Sequence, residues 1–205
     1  MTPAIRLQLA ATFPDLVAQA VEKLGGLDVL VNNAAVGSAT VAAFSGDPDT
    51  QDSLMLAINA DGTLKMCQQF LALAGEPGRK LINISSVGGG VTAFPGFRLS
   101  DGMSKAAVAF LTRQLAAEAV HAEVDVFAIC PGATNTPMFQ ASTLSKLSRR
   151  DLTAFLSRLP KGRLIEPSEI AALVHFLASP PSRVLHGAVL DASMGLGVRP
   201  GLMSE

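Results

Sequence analysis

One pattern constrains this chain more than any other: short apolar runs that stop at small or polar residues, with longer amphipathic stretches between them. Asp28 to Val31 (DVLV) stops at Asn32-Asn33-Ala34-Ala35, and Lys80 to Ile84 (KLINI) stops at Ser85-Ser86. Val124 to Ile129 (VDVFAI) reaches Pro131-Gly132 and then Ala133-Thr134-Asn135-Thr136. Runs of this kind read as strands covered on both faces, and the stretches between them as crossover helices, so the pattern predicts a parallel sheet layered with helices. Open parallel sheets bind ligands at the carboxyl ends of their strands. The small and polar residues stand at those ends, where a ligand must come close to the backbone. A single polar loop would carry little weight, because loops are commonly polar.

The remaining chain fits the same reading. Ala4 to Leu9 (AIRLQL) reads as a strand, followed by a helix from Thr12 to Leu24 that Gly25-Gly26 stops. Val36 to Asp49 is loop-like, and Thr50 to Leu73 reads as a long helix weakened in its middle by Gly62. Gly88-Gly89-Gly90 reads as a flexible segment, Ser100 to Ala122 as a second long helix, and Ala133 to Leu159 as a polar stretch with one or two short helices. Pro167 opens a further helix at its first turn, and Ala188 to Asp191 reads as a last strand. With no linker or repeat, residues 1–205 read as one α/β domain.

Composition excludes several classes. The 205 residues are 49% hydrophobic and 16% charged, enough for a sizeable core and too apolar for disorder. Sixteen Lys and Arg against 17 Asp and Glu leave no basic footprint for nucleic acid or an anionic membrane surface. No apolar run approaches the roughly 20 residues of a membrane helix. Met1 to Arg6 does not read as a signal peptide. Cys67 and Cys130 are far apart and His121, His175 and His186 are dispersed, which argues against a disulfide framework or a zinc site and for a cytoplasmic protein. His175 reads as partly buried packing. There is no Tyr and no Trp.

These residues also resemble the short-chain dehydrogenase/reductase family, in order and over nearly the whole chain. Leu27 to Ala35 resembles the family's N-N-A-G strand end, and Asn59 in Ile58-Asn59-Ala60 its helix asparagine. Asn83-Ile84-Ser85-Ser86 resembles the serine strand, with Ser86 at the catalytic position, and Ser104-Lys105-Ala106-Ala107-Val108 the segment after the catalytic tyrosine. Pro131-Gly132, Thr136-Pro137-Met138 and Gly162 to Ala171 resemble its later motifs. The resemblance implies a Rossmann-like parallel sheet with helices on both faces, binding NAD or NADP. It also implies a Ser, Tyr, Lys, Asn set that moves a proton while the nicotinamide moves a hydride. Asn33, Ala34, Ala35, Pro131, Gly132, Thr134 and Thr136 would lie against the cofactor.

Three departures set this sequence apart. The resemblance begins near the family's third strand, without the first βαβ unit and its T-G-x-x-x-G-x-G phosphate turn. Ala4 to Leu9 is then expected to occupy the vacant slot beside DVLV, giving about five strands in chain order. Ala10-Ala11-Thr12-Phe13 stands where the family has D-V-T-D, removing an aspartate that contacts adenine. Four residues before Lys105 stands Asp101 in place of the tyrosine, and a solvated aspartate beside a lysine is expected to be ionised and a poor acid. Asp125 and Phe127 replace residues of the usual R-V-N, and Met194 stands near the usual terminal Gly-Gly.

Ser86, Lys105, Asn59 and Asp101 therefore read as the catalytic candidates, with Asp101 and Lys105 one helical turn apart. Each also has a plain structural reading: Ser86 a strand-end cap, Asn59 a partner for backbone groups, Asp101 a helix N-cap or half of a surface ion pair. The expectation is a protein of oxidoreductase ancestry that has lost NAD(P)-dependent hydride transfer. It would then be a partner-binding pseudoenzyme or a cofactor-independent acid/base enzyme, of lyase or isomerase type, on a small organic molecule. No cofactor is expected on that reading. The alternative is an NAD(P)-dependent oxidoreductase on a carbonyl or alcohol with a non-standard site. A homo-oligomer through the helices at 50–73 and 100–122 is expected.

Overall fold

The computed structural model describes residues 16–73, 77–199 and 201. Helix α1 occupies 16–24 and stops at Gly25, whose φ of +76° is the left-handed conformation that suits glycine after a helix. The strand expected at Ala4 to Leu9 and the segment Ala10 to Phe13 lie outside the described residues.

Among the described residues four strands form one parallel sheet in the order β1 (Val29–Asn32), β2 (Arg79–Ile84), β3 (Val124–Pro131) and β4 (Val189–Ala192). Helices α2 (Ser38–Phe44), α3 (Pro48–Leu56) and α4 (Thr63–Ala72) connect β1 to β2. The short α5 (Val87–Gly90) and long α6 (Leu99–Glu118) connect β2 to β3, and α7 (Pro137–Ser142), α8 (Arg149–Arg158) and α9 (Pro167–Leu177) lead to β4. This is the Rossmann-like α/β arrangement that the sequence predicts.

Alternation along the central strands builds two cores. Leu81 and Val126 face Cys67 and Phe70 of α4 and Leu115 and Ala116 of α6. On the other face Ile82, Phe127 and Ile129 meet Leu177 of α9. Each fully buried Leu, Ile or Phe contributes about 1.5–3 kcal/mol, so these strands cannot slip by a residue without exchanging both faces.

Several local expectations are corrected. The helix expected over 50–73 is α3 and α4 joined by a π-helical segment at Ala57–Gly62, so the weak point read at Gly62 is a change of helical pitch rather than a break. The loop expected over 36–49 contains α2, whose only buried residue, Val41, packs on Leu54 and Met55. One apolar anchor in a seven-residue helix leaves no periodicity to read. Gly88-Gly89-Gly90 is a packed turn. A methyl group on Gly89, at φ +91°, would overlap the Gly102 carbonyl, and one on Gly90 would overlap Ser85 Oγ and Cys130 Sγ. These glycines serve close contact between α5 and its neighbours. His175 is exposed rather than packed.

The buried polar groups are matched in pairs. Asn32 Nδ2 donates to Asn83 Oδ1 at 2.9 Å, and Asn83 Nδ2 donates to Thr112 Oγ1 at 3.0 Å, tying β1 to β2 to α6. No helix among the described residues is long and apolar enough to cross a membrane.

Candidate active site

The carboxyl ends of β1, β2 and β3 bring together most of the residues that the motifs single out. Asn33, Ala34 and Ala35 follow β1, Ser85 and Ser86 follow β2, and Gly132 to Thr136 follow Pro131 of β3. Helix α6 begins against this edge, because its first turns pack on the glycine turn α5.

Ser86 is extended (φ −158°, ψ 154°) and caps the turn, its Oγ accepting from the Gly88 N–H at 3.2 Å. That contact uses an acceptor lone pair and leaves the hydroxyl proton available to donate. Its neighbour Ser85 is buried, and its Oγ donates to the Lys105 carbonyl at 2.8 Å, which pins α6 to the strand end.

Asp101 is neither an N-cap nor half of a surface ion pair. Arg98 is the N-cap of α6, which places Asp101 at the third helical position. Lys105 Nζ turns to the Ile84 carbonyl at 3.3 Å. The expectation that Lys105 pushes Asp101 further toward the carboxylate is corrected in direction: burial raises the Asp101 pKa from its ordinary value, and the opposing charges of Lys105 and Arg98 do not cancel that. Lys105 is moved the other way, because burial lowers its pKa more than Asp101 and Cys130 raise it. Both shifts favour neutral groups.

Asn59 is fully engaged. Its Oδ1 accepts from the Val36 N–H at 2.8 Å, and its Nδ2 donates to the Val36 carbonyl at 3.0 Å and to Ser104 Oγ at 3.3 Å. Ser104 Oγ in turn donates to the Asp101 carbonyl at 2.8 Å. Asn59 thus links the loop after β1 to the first turn of α6, as its structural reading anticipates.

In the loop after β3, Thr134 Oγ1 donates to the Gly132 carbonyl at 3.0 Å, and Thr136 Oγ1 caps α7 by accepting from the Phe139 N–H at 3.2 Å. Arg163 holds Glu169 at 2.7 Å, and Glu169 accepts from the Glu166 N–H. This fixes Ile165, whose N–H donates to the Ala133 carbonyl at 2.9 Å. The loop is shaped by its own hydrogen bonds, and Asn33 and Ala34, in the segment after β1, are exposed.

Sequence reasoning did not single out Ser85, Ser104, Arg98 or Asp52 as contributors to this edge. Ser85 and Ser104 sit inside the motifs that were read. Arg98 and Asp52 are 46 residues apart, and no local pattern joins them.

A family model described as Enoyl-(Acyl carrier protein) reductase matches residues 8–197. The chain belongs to the short-chain dehydrogenase/reductase family. Oxidoreductase UcpA of Escherichia coli K12 is 34% identical over 189 residues, covering 88% of this chain and 70% of the relative. Galactitol 2-dehydrogenase (L-tagatose-forming) of Cereibacter sphaeroides is 35% identical, covering 86% and 68%. Among solved structures, a 3-oxoacyl-[acyl-carrier protein] reductase from Brucella melitensis in complex with NAD superimposes with a TM-score of 0.78 at 27% identity, covering 92% and 74%. The Pseudomonas aeruginosa RhlG/NADP complex gives 0.76 at 30%, covering 91% and 73%. The family membership and the family's fold are thereby shown, and the chain is of oxidoreductase type by ancestry.

Proposed function

We propose that this chain is an NAD(P)-dependent oxidoreductase that interconverts a carbonyl and an alcohol, with Asp101 supplying the proton that a phenol supplies in its family. The observation that carries this reading is the partial burial of Asp101 one helical turn before Lys105, which holds the carboxyl toward its protonated form. Relatives named as ketone reductases and sugar-alcohol dehydrogenases support the reaction class. The reading departs from the sequence-based expectation that hydride transfer is lost, which rested on the missing phosphate turn and the Ala10-Ala11-Thr12-Phe13 segment as well as on Asp101 in place of the tyrosine.

The donor set at this edge fits the nicotinamide half of a dinucleotide. Lys105 Nζ donates to one carbonyl and keeps at least one further proton, in either protonation state, for ribose hydroxyls. Asn33, Ala34 and Ala35 would flank the ring from β1, and Pro131, Gly132, Thr134 and Thr136 from β3. A bound reduced nicotinamide supplies the hydride. Ser86 donates its hydroxyl proton to the substrate oxygen, its lone pair being held by the Gly88 N–H. Asp101 passes a proton to that oxygen as it becomes an alkoxide. Lys105 then returns a proton to the Asp101 carboxylate, its lowered pKa making it a competent acid for that step.

A homo-oligomer is part of the same reading. Leu99, Met103 and Phe110 stand 82%, 60% and 66% exposed on α6, a large apolar stripe for a monomer to leave in water. A Phe110→Glu variant that halves the mass seen by light scattering would support it; an unchanged monomeric mass for both chains would remove it.

The deciding experiment titrates NADH and NADPH while following cofactor fluorescence, with calorimetry as a second readout and a panel of ketones as substrates. The chain has no Trp or Tyr, so protein background is small. Micromolar binding with ketone-dependent loss of the signal is expected. No binding at millimolar cofactor would sink the reading and return the acid/base pair to cofactor-independent chemistry.

A further inference from the structure

We propose that Asp52 of α3 is a positioning residue for Asp101: together with Ser100 it clamps Arg98 at the start of α6, setting the helix entry and offsetting the guanidinium charge that acts on the Asp101 carboxyl. The inference rests on the proton-donor role given to Asp101 above.

The geometry is specific. Arg98 Nε donates to Asp52 Oδ1 at 2.7 Å, and a second guanidinium nitrogen lies 2.6 Å from the same oxygen. The third contact runs from Arg98 to Gln51 Oε1 at 2.8 Å, and Ser100 Oγ donates to Asp52 Oδ1 at 2.5 Å. Thus one carboxylate on α3 holds the N-cap and the second helical residue of α6, immediately before Asp101. Two guanidinium nitrogens on one carboxylate oxygen, with Gln51 on the third, fix orientation better than a single contact between mobile side chains. Arg98 has no other carboxylate within ion-pair distance among the described residues.

The charged and titratable groups around Asp101 are few. Arg98 at the N-cap and Lys105 share its helix, and Asp52 of α3 pairs with Arg98 and Ser100. Cys130 contributes from the end of β3 through its effect on Lys105, and the turn α5 brings no titratable group. Arg98 favours the carboxylate form of Asp101, so the amount of its charge that Asp52 neutralises bears directly on how readily Asp101 gives up a proton.

The test is a carbon-13 NMR titration of the Asp101 carboxyl in the full chain, in Asp52→Asn and in Arg98→Gln, with Asp101→Asn used to assign the resonance. Losing Asp52 leaves the Arg98 charge uncompensated, so the Asp101 midpoint should fall. Losing Arg98 leaves Asp52 negative and unpaired, so the midpoint should rise. Asp52→Glu should restore the original value. A clamp that only stabilised α6 would loosen the helix start in both variants and move both midpoints the same way. Parallel shifts, or no shift in either, would overturn the proposal. The titration needs no turnover, so it supports or overturns the clamp independently of whether the proposed oxidoreductase activity is found.

Discussion

The carboxyl of Asp101 and the ammonium of Lys105 lie one turn apart on α6, yet Lys105 Nζ bonds the Ile84 carbonyl and the two groups are shifted toward their neutral forms. A proton donor must hold its proton at the working pH, and the partial burial of Asp101 moves its carboxyl in that direction.

Reduction should therefore weaken as pH rises through the raised Asp101 pKa. Asp101→Asn, which keeps the shape and removes the proton, should lower kcat by about a hundredfold or more. Asp101→Tyr should move the falling limb to higher pH, since a phenol titrates near ~10 before its environment acts on it. Steady-state rates across pH for the three proteins check this. A pH profile unchanged in Asp101→Asn would remove Asp101 from the chemistry.

The Asn59 side chain satisfies both backbone groups of Val36 from inside the π-helical segment. Asn59→Ala would bury that N–H and that carbonyl without partners, at a cost of about 2–4 kcal/mol. Denaturant unfolding should show a lower midpoint with an unchanged slope. Asn59→Asp should recover only part of it, because a carboxylate accepts from the N–H but cannot donate to the carbonyl.

The sequence made the sheet legible because β2 and β3 are continuous apolar runs ended by Ser85-Ser86 and Pro131-Gly132, a pattern set by burial on both faces. It was equally legible that Ser86, Lys105, Asn59 and Asp101 would converge on one edge, since the motifs fix their elements. Protonation was another matter. Spacing gives Asp101 its neighbour Lys105, and that neighbour favours ionisation; the desolvation that outweighs it comes from the tertiary packing of α6 on α5 and β2. Arg98 and Asp52 were invisible for the same reason, being brought together only when α3 and α6 pack.

Cys67 is wholly buried, and burial pushes its thiol up to about 12 despite hydrogen bonds with Asn32 and Asn83. Cys130 is also buried, with its pKa raised. Both should resist a disulfide-exchange reagent at neutral pH in the native protein, since the thiolate is the nucleophile. Both should react once the chain is unfolded. A fast native phase from either would contradict the packing at that residue.

Met194 adopts φ +58°, a conformation that costs a side-chain-bearing residue about 1–2 kcal/mol. Met194→Gly should stabilise the fold by roughly 0.5–1 kcal/mol, the relief exceeding the added freedom of glycine in the unfolded chain. Thermal unfolding should show a rise of a few degrees.

Asp125 and Lys80 face each other across β2 and β3 with Nζ and Oδ2 at 2.5 Å and side chains only 6% and 4% exposed. Removing one partner of such a pair leaves a charge buried without compensation, a loss of about 3–5 kcal/mol. The two halves are not equivalent here. Asp125 also has Arg183 Nε at 3.8 Å and His186 Nδ1 at 3.6 Å, whereas Lys80 has no other carboxylate within ion-pair distance among the described residues. Asp125→Asn should therefore destabilise more than Lys80→Met, because Arg183 and His186 can compensate the remaining carboxylate. The double variant should lose less than the sum of the singles. The pair sits near the start of β3, at the opposite end from Pro131, so cofactor affinity should be unchanged wherever the fold survives. Denaturant midpoints for the two single variants and the double variant give the coupling directly. Equal losses in the two single variants would mean that Arg183 and His186 give Asp125 no compensation.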